Sequence, residues 1–236
     1  MYMDAVVRCD HKIHNEDVGQ MDIGVILDFD GTIIDSETNL YNTINKNLAD
    51  RGHKPLEIER YKESIGSESD ELNAYILERV GEEGMRAIAE DHQRTCLDLE
   101  CYPHILKLIG YCRDNGIPMA VATSSRRADI IPMLEHFGIL DAFISVRGKE
   151  DVEHVKPDPE LYRLAGKDLG LAPADIYAIE DTVNGSFAAV RAGMNAIVLT
   201  NEMTGDMDFD PVDYFAKDIT YEEMIKILEH EPAVKE

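Results

Sequence analysis

The chain lacks long apolar runs and paired cysteines. No apolar stretch approaches the roughly 20 residues that a membrane-spanning helix needs, and residues 1–20 lack the apolar core of a secretory signal. None of its four cysteines forms a Cys-x-x-Cys pair, which argues against a zinc site. A chain of 236 residues can fold without disulfide bonds. We therefore expect free thiols, no membrane partner and a cytoplasmic location.

Basic residues are also scarce. The 23 lysines and arginines are outnumbered by 47 aspartates and glutamates, which gives a net charge of -24. Proteins that bind nucleic acid need clustered basic side chains to neutralise phosphates, so nucleic acid is not an expected partner. An anionic substrate would need a local positive centre, which a divalent cation and one or two lysines could supply.

Short apolar runs alternate with helical patterns through most of the chain. Such continuous apolar runs are typical of strands that are buried on both faces, and their alternation with helices predicts a parallel sheet. Each predicted helix ends next to a glycine, which is a common helix stop. The predicted strands are 24–29, 119–122, 143–146, 176–179 and 196–199, and the helices between them are 104–115, 127–137, 159–169 and 185–192.

The interval 38–100 differs, because helical periodicity runs through it and no convincing strand interrupts it. We predict a helical cap domain here, inserted over the carboxyl edge of the sheet, where open parallel sheets bind ligands. The predicted division is an extension at 1–20, a core at 21–37 and 101–236, and a cap at 38–100.

Polar side chains follow three of the predicted strands. Because the carboxyl ends of parallel strands meet at one edge, these side chains should gather in one site. Each motif alone is ordinary: a Thr-Ser-Ser run is often a helix cap, and Lys-Pro is often only a turn. The order of all of them along the chain makes a site the better interpretation. The residues are Asp28, Asp30, Thr123, Ser124, Lys156, Glu180 and Asp181.

The same residues resemble the four-motif signature of the haloacid-dehalogenase superfamily of phosphohydrolases. The resemblance begins at Asp28-x-Asp30-Gly31-Thr32 and covers about residues 21–200. The helical insert resembles the C1-type cap of the β-phosphoglucomutase-like branch. The implied fold is a Rossmann-like parallel sheet with helices on both faces and an inserted helical cap.

The resemblance also implies a role for each residue. Asp28 would attack phosphorus to give an aspartyl-phosphate, and Asp30 would protonate the leaving oxygen and then activate water. Mg²⁺ would be the cofactor, because hard oxygen ligands suit it. Its ligands would be Asp28, Asp30 through its carbonyl group, Asp181 and Glu180, while Thr123, Ser124, Lys156, Gly31 and Thr32 would bind the phosphoryl group.

The choice between phosphatase and phosphomutase depends on the cap. Leu40 stands where the β-phosphoglucomutases carry a histidine, and Glu68 stands near their phosphate-gripping arginine. Both departures favour a phosphatase that acts on a small phosphorylated metabolite, with a sugar phosphate as one candidate. The oligomeric state is not determined by the sequence, and a monomer is the favoured expectation. A β-phosphoglucomutase-type mutase and a non-catalytic binding protein remain alternatives. Ser64, Gly66 and Glu68 are the candidate residues for choosing the substrate.

Overall fold

The computed structural model describes residues 23–66 and 70–229, and its core is a six-stranded sheet. The strand order is β3-β2-β1-β4-β5-β6, and every neighbouring pair is parallel. The predicted α/β fold class is therefore confirmed. The strands are β1 (Gly24–Leu27), β2 (Met119–Ala122), β3 (Ser145–Arg147), β4 (Ile176–Glu180), β5 (Asn195–Val198) and β6 (Ala216–Lys217). The predicted extension at 1–20 lies outside the described residues.

Burial explains which strands could be predicted. Every residue of β1, β2 and β4 is buried, so these strands consist of continuous apolar runs. The third strand begins two residues later than predicted, at Ser145, because Phe143 and Ile144 belong to the turn that precedes it. The two-residue edge strand β6 was missed, since both of its residues are half-buried and no apolar run marks it.

Within residues 23–66 and 70–229, eight α-helices pack on the sheet or form the insert. The four helices predicted after residue 100 are all present, and Gly170 closes one of them in the left-handed conformation at φ 72°. The last of the four begins two residues earlier than predicted, because Thr182 caps it by accepting a hydrogen bond from the Gly185 N–H. The helices are α1 (Ser36–Asp50), α2 (Ile58–Lys62), α3 (Asp70–Cys96), α4 (Pro103–Asp114), α5 (Arg127–His136), α6 (Glu160–Leu169), α7 (Val183–Arg191) and α8 (Tyr221–Glu229).

In its described part, the segment between β1 and β2 contains four helices joined by loops, and no strand longer than an isolated bridge. Helices α1, α2 and α3 enclose an apolar cluster of their own, which includes Leu48, Tyr61 and Ile76. Met203, from the loop after β5, joins this cluster and so ties the insert to the sheet. The limits of the cap at 38 and 100 stay a prediction.

Two further expectations concern cysteines and membranes. Cys96, Cys101 and Cys112 are free, buried thiols, and Cys9 lies outside the described residues. In the part of the chain that the structure covers, none of the helices combines the length and apolar character required to span a bilayer.

Gly185 in α7 lies against the Glu180 side chain, and a Cβ there would lie 2.0 Å from Oε2. We expect Gly185→Ala to lower the free energy of unfolding by ~1–3 kcal/mol, because the contact forces the glutamate to move. Gly110, in the middle of α4, is the matched control, since its Cβ would meet nothing within 4 Å. Gly110→Ala should raise the free energy of unfolding by about 0.5–1 kcal/mol. Urea denaturation measures both, and equal effects of the two variants would contradict the prediction.

Candidate active site

Lys156 and two carboxylates form the centre of the site. Asp28 directly follows β1, and its N–H donates to the Ile179 carbonyl at 3.0 Å. The Lys156 ammonium donates to Asp28 Oδ1 and to Glu180 Oε1, the latter at 2.5 Å. The Tyr162 hydroxyl donates to the same Glu180 oxygen at 2.5 Å. Two buried carboxylates therefore share one buried lysine.

A third carboxylate completes a group that could hold a metal ion. Asp28, Glu180 and Asp181 each offer an oxygen, and these atoms all lie within 4.8 Å of one another. Asp181 accepts hydrogen bonds from Asn201 Nδ2 at 2.9 Å and from Thr32 Oγ1 at 3.4 Å. Clustered carboxylate oxygens of this kind are the ligands that Mg²⁺ prefers in proteins.

The protonation of these acids reflects their burial. Burial raises the pKa of Asp28 to about 8, more than the neighbouring Lys156 can lower it. The pKa of Asp181 also lies well above its usual value, because it is buried and faces Asp28 and Glu180. Burial disfavours the charged form of Lys156, but Asp28 and Glu180 together raise the pKa of Lys156 above its ordinary value. A divalent cation would relieve this excess of buried negative charge, so the site fits the implied Mg²⁺.

Gly31 makes room for Asp181. It has φ +74°, and a Cβ there would lie 2.2 Å from Asp181 Oδ2. Any other residue would be strained by this backbone conformation and would also displace the carboxylate. Asn201 Nδ2 donates to the Gly31 carbonyl at 3.0 Å as well as to Asp181. Gly31 therefore positions a metal-ligand candidate by its lack of a side chain.

Asp30 lies in a different environment, among hydroxyl groups. Its Oδ1 accepts from Ser36 Oγ at 2.8 Å, and its Oδ2 accepts from Ser125 Oγ at 2.6 Å and from Thr123 Oγ1 at 3.3 Å. The buried Thr123 hydroxyl in turn accepts from the Ser125 N–H at 3.0 Å. The Asp30 side chain is therefore held apart from the three clustered carboxylates, which suits it to handling protons.

The remaining candidate residues are Ser124 and the three residues proposed to choose the substrate, and they lie in different surroundings. Ser124 is exposed, and Ser64 Oγ donates to the Tyr61 carbonyl at the end of α2 at 2.6 Å. The carbonyl of Gly66 does reach the core, where it accepts from Asn184 Nδ2 at 2.7 Å. Glu68 lies outside the described residues. The structure thus brings Gly66 against the start of α7, the helix that follows Asp181.

Sequence reasoning missed several residues that hold the site together. Tyr162 orients Glu180, Asn201 bridges Gly31 and Asp181, and Ser36 binds Asp30. Asn201 carried a usable signal, because it stands three residues beyond the end of β5 at the same edge of the sheet. Tyr162 carried none, since it lies on a helix whose apolar pattern explains it equally well.

Comparison with known proteins is consistent with this geometry. The family model described as "Haloacid dehalogenase-like hydrolase" matches residues 25–199. The "Putative phosphatase YhcW" of Bacillus subtilis is 31% identical over 212 residues, which cover 87% of this chain and 96% of that protein. "Phosphoglycolate phosphatase 1" of Pseudomonas aeruginosa is 28% identical over 190 residues, covering 75% of this chain and 68% of that protein.

A solved structure shows the same fold. The crystal structure of a protein described as a "putative beta-phosphoglucomutase" from Thermotoga maritima superposes with a TM-score of 0.75 at 21% identity. The match covers 88% of this chain and 98% of that one. At this level of identity the likeness speaks for the fold, including the helical insert.

Asp181→Asn should stabilise the protein without metal and weaken its response to Mg²⁺. The variant keeps one oxygen for Asn201, turns its amide NH₂ toward the Thr32 hydroxyl, which can also accept, and removes one of the crowded charges. In EDTA we expect a melting temperature roughly 2–4 °C above wild type, a shift that corresponds to about 1 kcal/mol. The gain should grow as pH rises toward about 8, because the raised pKa values mean that ionising these acids costs stability in the folded state.

Thermal unfolding in EDTA and in Mg²⁺ measures both effects. The wild type should gain stability from Mg²⁺, and Asp181→Asn should gain much less. Glu83→Gln removes an exposed acid of α3 and controls for the change in net charge. A variant that responds to Mg²⁺ as strongly as wild type would rule out Asp181 as a ligand.

Proposed function

This chain belongs to the haloacid dehalogenase-like hydrolase family, and from that premise we propose that it is a Mg²⁺-dependent phosphatase acting on a small phosphorylated metabolite. Its phosphatase relatives support the reaction class, a phosphoric monoester hydrolase. The observation that carries the proposal is the buried Asp28 carboxylate, paired with Lys156 and set 4.8 Å or less from two further carboxylates. The proposed nucleophile, its charge partner and the candidate metal ligands thus lie together in one site.

Asp28 is the nucleophile in this proposal. One of its oxygens attacks phosphorus, so a bond forms between Asp28 and the phosphoryl group while the bond to the leaving oxygen breaks. Lys156 fixes the carboxylate and offsets negative charge as the phosphoryl oxygens approach. The hydrogen bond from the Asp28 N–H to Ile179 holds the residue at the strand end. The product of this step is an aspartyl-phosphate.

Asp30 is the general acid and general base in this proposal. It donates a proton to the leaving oxygen in the first step, and it then accepts a proton from the water that hydrolyses the aspartyl-phosphate. The hydroxyls of Ser36, Ser125 and Thr123 keep its carboxyl group in one orientation. A fixed acid–base group needs little reorganisation at the moment of reaction.

Asp28, Asp181 and the Asp30 carbonyl would hold Mg²⁺. When bound, the ion would neutralise charge on the phosphoryl group and on the acids around it. We assign Glu180 to orienting Lys156 rather than to the metal, because it is paired with the Lys156 cation, whereas Asp181 has only neutral donors. Oε1 accepts from Lys156 and Tyr162, and Oε2 accepts from Thr182 at 3.3 Å.

The helical segment 38–100 serves as a cap that keeps water from the site. Two contacts between this segment and the core support that role. Lys62 pairs with Asp206 at 2.7 Å, and Gly66 bonds to Asn184 next to the candidate metal ligands. Caps of this kind exclude bulk water while the phosphoryl group is transferred. Because one chain supplies every described group of the site and its thiols suit a reducing compartment, we also propose a cytoplasmic monomer.

Asp28→Asn tests the nucleophile directly. The amide keeps the shape of the side chain but cannot form the acyl phosphate, so hydrolysis of p-nitrophenyl phosphate should fall by at least roughly three orders of magnitude. EDTA should abolish wild-type activity, and Mg²⁺ should restore it. Asp114→Asn, at an exposed position at the end of α4, should behave as wild type. Activity that survives in Asp28→Asn would overturn the mechanism.

A phosphomutase is the second candidate, because a protein described as a β-phosphoglucomutase shares the fold. Leu40, at the position where those mutases carry a histidine, packs against the apolar cluster of the insert. Incubation of a hexose monophosphate with the corresponding bisphosphate should therefore release inorganic phosphate without forming an isomer. Isomer formed faster than phosphate is released would identify a mutase instead.

A further inference from the structure

The loop after β5 contains a hydrogen-bonded turn, residues 201–207, that touches both a candidate metal ligand and the helical insert. The Asn201 carbonyl accepts from the Gly205 N–H at 2.9 Å, and the Thr204 carbonyl accepts from the Met207 N–H at 3.0 Å. The buried Thr204 hydroxyl accepts from the Asn201 N–H at 3.0 Å. These bonds hold the 201–207 turn in one conformation.

The side-chain amide of Asn201 has only one orientation that satisfies its neighbours. Its oxygen, Oδ1, accepts from the N–H groups of Met203 at 2.8 Å and of Thr204 at 3.1 Å. An amide rotated by half a turn would place its NH₂ group against these two donors. The NH₂ group therefore faces the site, where it donates to Asp181 Oδ2 at 2.9 Å and to the Gly31 carbonyl at 3.0 Å.

The same turn is also held by the insert. Met203 is only 4% exposed, because its side chain joins the apolar cluster of α1, α2 and α3. Asp206 pairs with Lys62 of α2, but its carboxylate is 85% exposed, so this ion pair contributes little. Met203 is therefore the main link: its side chain contacts the insert, while its N–H fixes the amide that holds Asp181.

We propose that Asn201 is a positioning residue for Asp181, and that the 201–207 turn couples Mg²⁺ binding to docking of the helical insert. The proposal rests on the proposed function, in which Asp181 binds Mg²⁺. With the insert docked, Met203 keeps the turn ordered, and the Asn201 amide holds the carboxylate in place for the ion. When the insert moves away, the turn loses its apolar contact and the amide its fixed direction. Because such coupling is reciprocal, Mg²⁺ favours the docked insert by the same factor.

Calorimetric titration of the metal-free protein with Mg²⁺ alone measures the first part of the proposal without substrate or turnover. Asn201→Ala should raise the Kd for Mg²⁺ by about 10–100-fold, the usual effect of losing a group that orients a metal ligand. Asn195, at the opposite end of β5, is the matched control, since its amide donates to the Ala174 carbonyl at 2.7 Å. Asn195→Ala should leave the Kd within about twofold of wild type. An unchanged Kd in Asn201→Ala would overturn the role of Asn201.

A double-variant cycle measures the coupling. Met203→Ala should raise the Kd for Mg²⁺ by about fivefold or more. Added to Asn201→Ala, the same substitution should change the Kd by less than about twofold, because the link is already broken. Effects that multiply in the double variant would overturn the coupling. Met85→Ala truncates a methionine of α3 that packs against the same cluster, and it should leave the Kd unchanged. An equal loss in Met85→Ala would assign the effect to the packing of the insert in general and overturn the role of the turn.

Hydrogen exchange of the insert gives the reciprocal measurement. In wild type, replacing EDTA by saturating Mg²⁺ should slow amide exchange in α2 by about fivefold or more, because the docked insert is favoured. In Asn201→Ala at saturating Mg²⁺ the slowing should disappear, which loss of a purely local bond in the turn would not cause. Exchange in wild type that does not respond to Mg²⁺ would overturn the coupling. Circular dichroism establishes that each variant is folded, and wild type with the Met203→Ala and Met85→Ala pair tests the link without any change at Asn201.

The results also distinguish this proposal from the proposed function. A wild-type protein that binds no Mg²⁺ would overturn the metal site, and the coupling with it. A wild type that binds Mg²⁺ and hydrolyses p-nitrophenyl phosphate, together with an Asn201→Ala variant that binds Mg²⁺ equally well, would overturn only the role of Asn201 and its turn.

Discussion

The interaction of Lys156 with Asp28 and Glu180 is the constraint on which the site depends. Among the residues that the structure describes, Lys156 is the only lysine or arginine that is buried, whereas Asp28, Glu180 and Asp181 are all buried acids. A buried charge without a partner costs several kcal/mol, so removing the lysine would leave three carboxylates with no compensation from the protein. The lysine thus makes it possible to place a nucleophilic carboxylate at the end of a buried strand. The negative charge that it leaves uncompensated is what a divalent cation would balance.

Glycines allow these charges to come so close. Gly31 leaves space for Asp181, and Gly185 leaves space for Glu180, with hypothetical Cβ contacts of 2.2 and 2.0 Å. Without that space the carboxylates could not converge on Lys156 and on one another. Packing and electrostatics therefore act together here, because like charges lie close together and a Cβ at either glycine would overlap a carboxylate.

The proposed nucleophile and the helical insert belong to different elements. Asp28 and its partners lie at the ends of β1, β2 and β4, whose positions the sheet fixes. The insert packs around its own apolar cluster and meets the core through the Lys62–Asp206 ion pair and the hydrogen bond between Asn184 and the Gly66 carbonyl. Separation of this kind allows one fold to act on many phosphate esters.

The sequence alone determined five of the six strands, the four helices between them, the helical character of the insert and the residues at the strand ends. Continuous apolar runs and glycine stops are local patterns that can be recognised in the sequence. Because the carboxyl ends of parallel strands meet at one edge of the sheet, the sequence also predicts that Asp28, Thr123 and Asp181 lie in one site. The tertiary structure decided which oxygen each donor reaches. It turned Asp30 toward three hydroxyls, and it gave both oxygens of Glu180 to Lys156, Tyr162 and Thr182. These contacts join residues far apart in the chain, and only close packing of the assembled elements fixes their rotamers, which no local pattern encodes.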